Sequence, residues 1–259
     1  MSDLLAAAKF TSALALGGLA FGSVYALCGL RPSSQLFGRT LVAPRKPEEI
    51  ALTFDDGPNP TCTPYLLDLL GHHGVRATFF VIGQFAAQER ALVRRAHDEG
   101  HLVANHTWTH PNLFWADIRK MRRELRQTQW EIEQITGAPA KFFRPPYGLR
   151  RPATLKVARQ QAMTPVTWNL IGNDWTPLTA EGIADRVRTL AARNSERGFA
   201  TNLVLHDGDH RTLTGDRSRT LNAVRLLLPE MVKTRRFVTL DAWQPEASQP
   251  GERQIDSHA

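Results

Sequence analysis

The stretch TFDDGPNP, residues 53–60, places two adjacent carboxylates, Asp55 and Asp56, behind an apolar run and ahead of a turn. Side by side they repel, and burying both is costly unless something positive sits between or beside them. Further along, His106 and His110 stand four apart in NHTWTH. On one helical turn that spacing puts both imidazoles on the same face, within reach of one metal ion. Pro111 biases His110 away from helix, so such a turn is short. Two imidazoles and one carboxylate leave positions open for water and substrate. The set suits one catalytic divalent ion, zinc first, with cobalt, nickel or iron also compatible. One of the two aspartates would bind the ion and be neutralised by it.

The other polar clusters fall in a pattern. Asp55-Asp56 follow an apolar run at Ile50–Phe54, and the Asn105–His110 cluster follows His101–Ala104. Arg144-Pro145-Pro146-Tyr147-Gly148 follow Lys141–Phe143, Asn173-Asp174-Trp175 come soon after Pro165–Trp168, and His206-Asp207 follow Leu203–Leu205. These runs, with Ala77–Ile82 and Phe237–Leu240, read as strands rich in aromatic and β-branched residues. Between them lie helical patterns at Thr63–Leu70, Phe85–Glu99, Asp117–Thr136, and near 152–161, 179–193 and 217–234, with Gly100 and Gly137 as C-caps. Strand-helix alternation implies parallel strands with right-handed crossovers. About seven such units favour a barrel over an open sheet, and in a barrel all five polar clusters would collect at the C-terminal mouth.

With 259 residues, 42% apolar, the chain suits a large α/β domain. The formal net charge of +7 favours anionic partners only weakly, and no interleaved basic and aromatic motif marks a nucleic-acid binder. Residues 10–30 hold no charge and as a helix would reach about 30 Å, the thickness of a bilayer core. An uncleaved membrane anchor, a cleaved signal and an apolar helix packed on the domain all fit that run. Arg31, Arg39, Arg45 and Lys46 follow it and Lys9 precedes it, which leaves the sidedness of a membrane-anchored or exported protein open. The organisation read is an apolar segment over 1–30, a linker over 31–47, the main domain over 48–243 and a polar tail over 244–259. Cys28 and Cys62 are not expected to pair.

TFDDGP, HTWTH, RPPYG, NDW and LHD, in this order, resemble the five motifs of the NodB-type polysaccharide deacetylases, carbohydrate esterase family 4, over about residues 48–243. The resemblance implies a deformed (β/α)-barrel of seven parallel strands and metal-dependent hydrolysis of N-acetyl groups on sugar polymers. It implies Asp56, His106 and His110 as metal ligands, Asp55 as general base paired with Arg144, and His206 as general acid oriented by Asp174. The Tyr147 N–H would contribute to an oxyanion hole, and Trp175, Tyr147 and Pro146 would line the substrate pocket. Ile171 stands where the family often has an aspartate, making that wall more apolar, and Val204 where it tends to have leucine.

The implied partner is an N-acetylated glycan, of peptidoglycan or chitin-like kind. Two alternatives share the motifs: a deacylase of a lipid-linked amino sugar at the membrane, and a sugar-binding module with a dead site. Other polar residues read as structural. His72-His73 suit a helix C-terminus, Trp108 and Trp115 suit packing more than sugar stacking, and His210 suits a surface loop or the substrate rim.

Overall fold

A computed structural model describes Gly29 and residues 31–244 of the chain. Apart from Gly29, the apolar run at 10–30 lies outside the described residues, as does the tail beyond Gln244. Among the described residues no helix is long and apolar enough to cross a membrane.

Alternation along the first strand, β1 (Glu49–Asp55), sets the architecture. Its even-numbered Ile50, Leu52 and Phe54 pack into the larger apolar cluster, shared with the surrounding helices, whereas Ala51 belongs to a second cluster. The same period of two runs through β2 (Thr78–Val81), where Phe79 and Val81 join the first cluster and Phe80 the second. It recurs in β3 (Leu102–Asn105), β4 (Phe142–Phe143) and β7 (Thr201–His206). Two buried faces per strand are what a parallel barrel wrapped by helices requires.

With β5 (Thr164–Pro165) and β6 (Leu170–Ile171), the hydrogen-bonded order is β5-β4-β3-β2-β1-β7-β6, all parallel. The eighth strand, β8 (Arg236–Val238), pairs with the start of β1, whereas β2 pairs with its end. The sheet is therefore a curled, incompletely closed barrel. Its seam between β5 and β6 is bridged by the segment around Leu41. Leu41 N–H donates to the Pro165 carbonyl, Thr167 N–H donates to the Leu41 carbonyl, and Leu41 bridges Val166 in parallel.

The helices are α1 (Thr63–His72), α2 (Gly83–Gln88), α3 (Arg90–Asp98), α4 (Ile118–Thr136), α5 (Pro152–Gln160), α6 (Ala180–Glu196) and α7 (Ser218–Met231). α4 is capped by the Asp117 carboxylate, which accepts from Lys120 N–H at 2.8 Å, and ends at Gly137 with φ 83°. The single helix expected over Phe85–Glu99 is two, because Glu89 adopts φ −117°, ψ 44° and breaks the turn between α2 and α3. The strand expected over Pro165–Trp168 yields to short β5, the bridge at Val166, and β6, whose polar and glycine-flanked sequence carries no strand pattern. Leu240–Trp243 is a 3-10 turn rather than the end of a strand.

Candidate active site

The inner face of β1 carries Thr53 and Asp55, and that of β7 carries Asn202, Val204 and His206. Asp55 and His206 are direct register partners, so the pleat that buries Phe54 and Leu205 outward turns both functional side chains inward. Gly208 makes this possible. A Cβ there would lie 1.9 Å from the Asp56 carbonyl oxygen and 2.7 Å from Gly57 N, so only glycine lets the two strand ends approach so closely.

The two adjacent aspartates part company. Asp55 stays in the strand and meets Arg144, whose Nη1 donates to Asp55 Oδ1 at 2.6 Å and to Thr53 Oγ1 at 2.8 Å. Arg144 is fully buried, lies 4.0 Å over the Phe80 ring, and reaches Asn202 Oδ1 at 3.3 Å. It is the positive partner that a buried Asp55 needs. Asp56 turns out of the strand at φ 71° and points its carboxylate at two imidazoles. Its Oδ1 lies 3.4 Å from His106 Nε2 and 3.2 Å from His110 Nε2.

The helical turn expected to pair the two histidines is absent. Thr107 and His110 have φ 69° and 56°. Asn105 Oδ1 accepts from Thr107 N–H, and Thr107 Oγ1 accepts from His110 N–H, so side chains take the donors that a helix would give to carbonyls. The rings still converge, with centroids 4.9 Å apart. Glu124 of α4 secures the loop, accepting from Trp108 N–H, Thr109 N–H and the Thr109 hydroxyl.

The donor trio fits a divalent ion. One ligand atom each from Asp56, His106 and His110 lie within 4.8 Å of one another, all three residues are buried, and Asp56 Oδ1 has no hydrogen-bond partner. His106 Nδ1–H donates to the Arg144 carbonyl at 2.8 Å, which fixes the tautomer and frees Nε2 as a lone-pair donor. Burial, with His106 beside it, pushes the His110 imidazolium down to about 3 against the pull of Asp56, so this ring is neutral and available as a ligand. Burial would raise the Asp56 carboxyl, but the surrounding histidines, His106 foremost, hold it well below the usual carboxylate range.

His206 is held from behind. Its Nδ1–H donates to Asp174 Oδ1 at 2.8 Å, while Asp174 Oδ2 accepts from His206 N–H and the Thr220 hydroxyl, each at 2.7 Å. Burial disfavours the imidazolium, yet Asp174, reinforced by Asp56 and Asp55, outweighs it and lifts His206 to about 9. Asp174 itself is held low: burial pushes it up, and His206 more than compensates.

A cavity of about 560 Å³ is lined by Asp55, Asp56, His106, His110 and His206, with Tyr147 and Trp175 at its rim and Ile171 and Val204 on its apolar wall. Arg144 and Asp174 stand behind this lining, and Pro146, expected to line the pocket, is buried and not among the lining residues. Tyr147 has φ 59°. With Asp56, Thr107, His110 and Asn173 (φ 58°) it makes a cluster of left-handed non-glycine residues around one mouth, a conformation costing about 1–3 kcal/mol per residue.

Two readings are corrected. His210 is no surface bystander: it lines the cavity, its ring stacks on His110 at 4.5 Å, and its Nε2 lies 3.3 Å from the Tyr147 hydroxyl. Trp115 is not packed but 80% exposed. Thr53 and Asn202, which brace Arg144, were detectable by stepping back two and four residues from Asp55 and His206 along each strand. Cys62 is buried, its thiol pushed up to about 12 by burial, and Cys28 lies outside the described residues.

Donors for a metal ion, with a carboxylate on one side and an imidazole on the other, are the equipment of a hydrolase. Among hydrolases the chain belongs to the polysaccharide deacetylase family, whose profile matches residues 43–166. It is 36% identical over 198 residues to the peptidoglycan-N-acetylglucosamine deacetylase of Bacillus cereus, covering 76% of this chain and 68% of that protein. It is 37% identical over 188 residues to the chitooligosaccharide deacetylase of Rhizobium leguminosarum bv. trifolii, covering 70% of this chain and 85% of that one. The fold resembles the family 4 carbohydrate esterase from Streptomyces lividans in complex with acetate, with a TM-score of 0.61 and 33% identity over 76% of this chain and 89% of that one.

Proposed function

We propose that the chain is a metal-dependent deacetylase that hydrolyses the N-acetyl amide of N-acetylglucosamine units in a peptidoglycan or chitin-like glycan, releasing acetate. The observation that carries this reading is the register pairing of Asp55 with His206. It sets a carboxylate and an imidazole, each with its own buried counter-charge, on one cavity wall beside the donor trio. A module that only binds sugar needs neither. The glycan class follows from what the relatives in Bacillus cereus and Rhizobium are named for.

Asp56, His106 and His110 would hold the ion. When bound, a divalent cation, zinc foremost, supplies Lewis acidity toward the amide carbonyl and lowers the pKa of water. The remaining steps fall to the chain. Arg144 occupies Asp55 Oδ1, leaving Oδ2 to accept the proton of the attacking water. The Tyr147 N–H, turned by its left-handed φ, donates to the oxygen that becomes negative, a contact worth about 3–4 kcal/mol. Asp174 engages His206 Nδ1, leaving Nε2 to give its proton to the departing nitrogen. Water thus supplies hydroxyl to the acyl carbon and a proton to the amine. Trp175, whose ring meets His206 edge-on at 5.3 Å, and Tyr147 flank the acetyl methyl or sugar face.

The test is acetate release by the purified full chain from N-acetylglucosamine oligomers and from peptidoglycan, with zinc supplied and with it chelated. Turnover with zinc and its loss on chelation are expected. A metal-loaded protein that releases no acetate from either substrate would refute the reading.

A further inference from the structure

The first half of α4 carries Arg119, Lys120, Arg122, Arg123 and Arg126, while its acidic Glu131 and Glu133 lie in the second half. This order opposes the helix dipole, which favours anions at the N-terminus and cations at the C-terminus. The four arginines are exposed. Ion pairs of the described residues involve other cations, such as Arg90 with Glu131 and Arg95 with Asp68. The nearest carboxylate in sequence, Asp117, is engaged as the N-cap, and Glu124 is buried beneath the metal loop. Arg119, Arg122, Arg123 and Arg126 wall one side of a surface groove of about 490 Å³ completed by α5.

Apolar side chains frame this charge. Residues 119, 123, 126 and 130 share one helical stripe, and Trp130, which ends it, is 55% exposed. At the start of the helix stand Trp115, just ahead of it, and Ile118, its first residue, 80% and 44% exposed. Aromatic rings beside exposed arginines that share no salt bridge, Arg122 donating to Gln160 Oε1 and Arg119 and Arg123 feeling only the exposed Asp117, suit a headgroup layer, where rings sink and cations meet phosphate.

The upstream chain arrives at the same place. Gly29 lies against the Phe114 ring, which contacts Trp115 at 4.9 Å between centroids. Arg150 gathers the carbonyls of Gly29, Arg31, Pro32 and Ser34, fastening the entering chain beside the start of α5. Gly29, which belongs to the uncharged run over residues 10–30, therefore sits beside the Phe114–Trp115 pair that precedes α4.

We infer that this face, Trp115 and Ile118 followed by the Arg119–Trp130 stripe of α4, docks on an anionic lipid bilayer. The loop bearing His106 and His110 leads directly into α4, so docking sets the catalytic mouth beside the membrane surface.

The test is flotation of the full chain with vesicles of phosphatidylcholine, with and without phosphatidylglycerol. Partitioning of residues 10–30 into both lipids cancels in the ratio of the two affinities. A basic side chain at an anionic headgroup layer is worth about five-fold in partitioning, so Arg119→Gln/Arg123→Gln/Arg126→Gln should lower that ratio about 100-fold. Acetate release from a soluble oligosaccharide should be unchanged, which separates failure here from failure of the deacetylase reading. A wild-type ratio of one, or a ratio preserved in the triple variant, overturns the inference. So does a Trp115→Ser/Trp130→Ser protein that binds vesicles normally while the arginine variant loses inorganic polyphosphate as well, since the patch is then a general polyanion site.

Discussion

Asp174→Asn tests the assignment of His206 as the proton donor through pH rather than through loss of activity alone. The amide keeps the volume of the carboxylate, and its oxygen can take over the contacts of Oδ2 with His206 N–H and the Thr220 hydroxyl. Its nitrogen then faces His206 Nδ1, where two N–H groups would oppose each other if the ring were cationic. The main charge that lifts His206 to about 9 is gone, and burial, which lowers it, is opposed only by the more distant Asp56 and Asp55. A return to about 6.5 changes the acid fraction at pH 8 from about nine-tenths to about three-hundredths, a loss of about 30-fold, but changes it by less than two-fold at pH 6. The alkaline limb of kcat/KM for acetate release should move acidward by about 2.5 units, and an NMR titration of the His206 ring should follow it. Zinc loading adds positive charge in both proteins and leaves the difference between them. A loss equal at pH 6 and pH 8, or an unmoved alkaline limb, would show that Asp174 and His206 do not act as a proton-donating pair.

Asp55→Asn should retain stoichiometric zinc, measured by elemental analysis after dialysis, while turnover falls by at least about 100-fold. Asp56→Asn should weaken zinc by more than the 10–100-fold typical of changes behind the ligands, and a variant that keeps its zinc would remove Asp56 from the set. Gly208→Ala drives a Cβ into the Asp56 carbonyl, so a loss of about 1–3 kcal/mol in urea unfolding and weaker zinc binding are expected together. Asp207 is buried with Oδ1 unpartnered, and burial raises its carboxyl to about 7. The folded state therefore holds a proton that the unfolded state has released, and stability falls as pH climbs from 3.8 toward 7. Asp207→Asn should flatten that slope and gain about 2–4 kcal/mol at pH 8 relative to its change at pH 3, read from urea midpoints.

Where local chemistry and strand period agreed, the sequence was readable. Ile50, Leu52 and Phe54 alternate with Ala51, Thr53 and Asp55, and the structure places the two sets on opposite faces of β1. The polar clusters at the ends of apolar runs do meet at one mouth, and the family profile covers Asp55, Asp56, His106, His110, Arg144 and Tyr147. Asp174 and His206 lie beyond that match, in a region where β6 is two residues long and carries no pattern of its own. What stayed hidden was tertiary. No local rule shows that His210 folds back over His110, because the loop after Asp209 is bent by the Arg211 contacts to Asp209 and by the Arg217 contact to the Gly208 carbonyl. The conformation of the histidine loop was also hidden, since Asn105 and Thr107 replace backbone acceptors with their own side chains.

Thr53 and Leu203, bonded across β1 and β7, are 150 residues apart along the chain, and five other strands are made between them. On the roles proposed above, a nascent polypeptide would acquire its cation donors and its base early and stay inert until the final third of translation delivers His206. Cleavage in the loop before β7 would leave Asp55, Asp56, His106 and His110 on one fragment and His206 on the other, and on the proposed roles both would be silent. Reassociation must seat β7 between β1 and β6 and return β8 to β1, so recovered turnover from a protein split at this loop would report that the whole insertion had taken place.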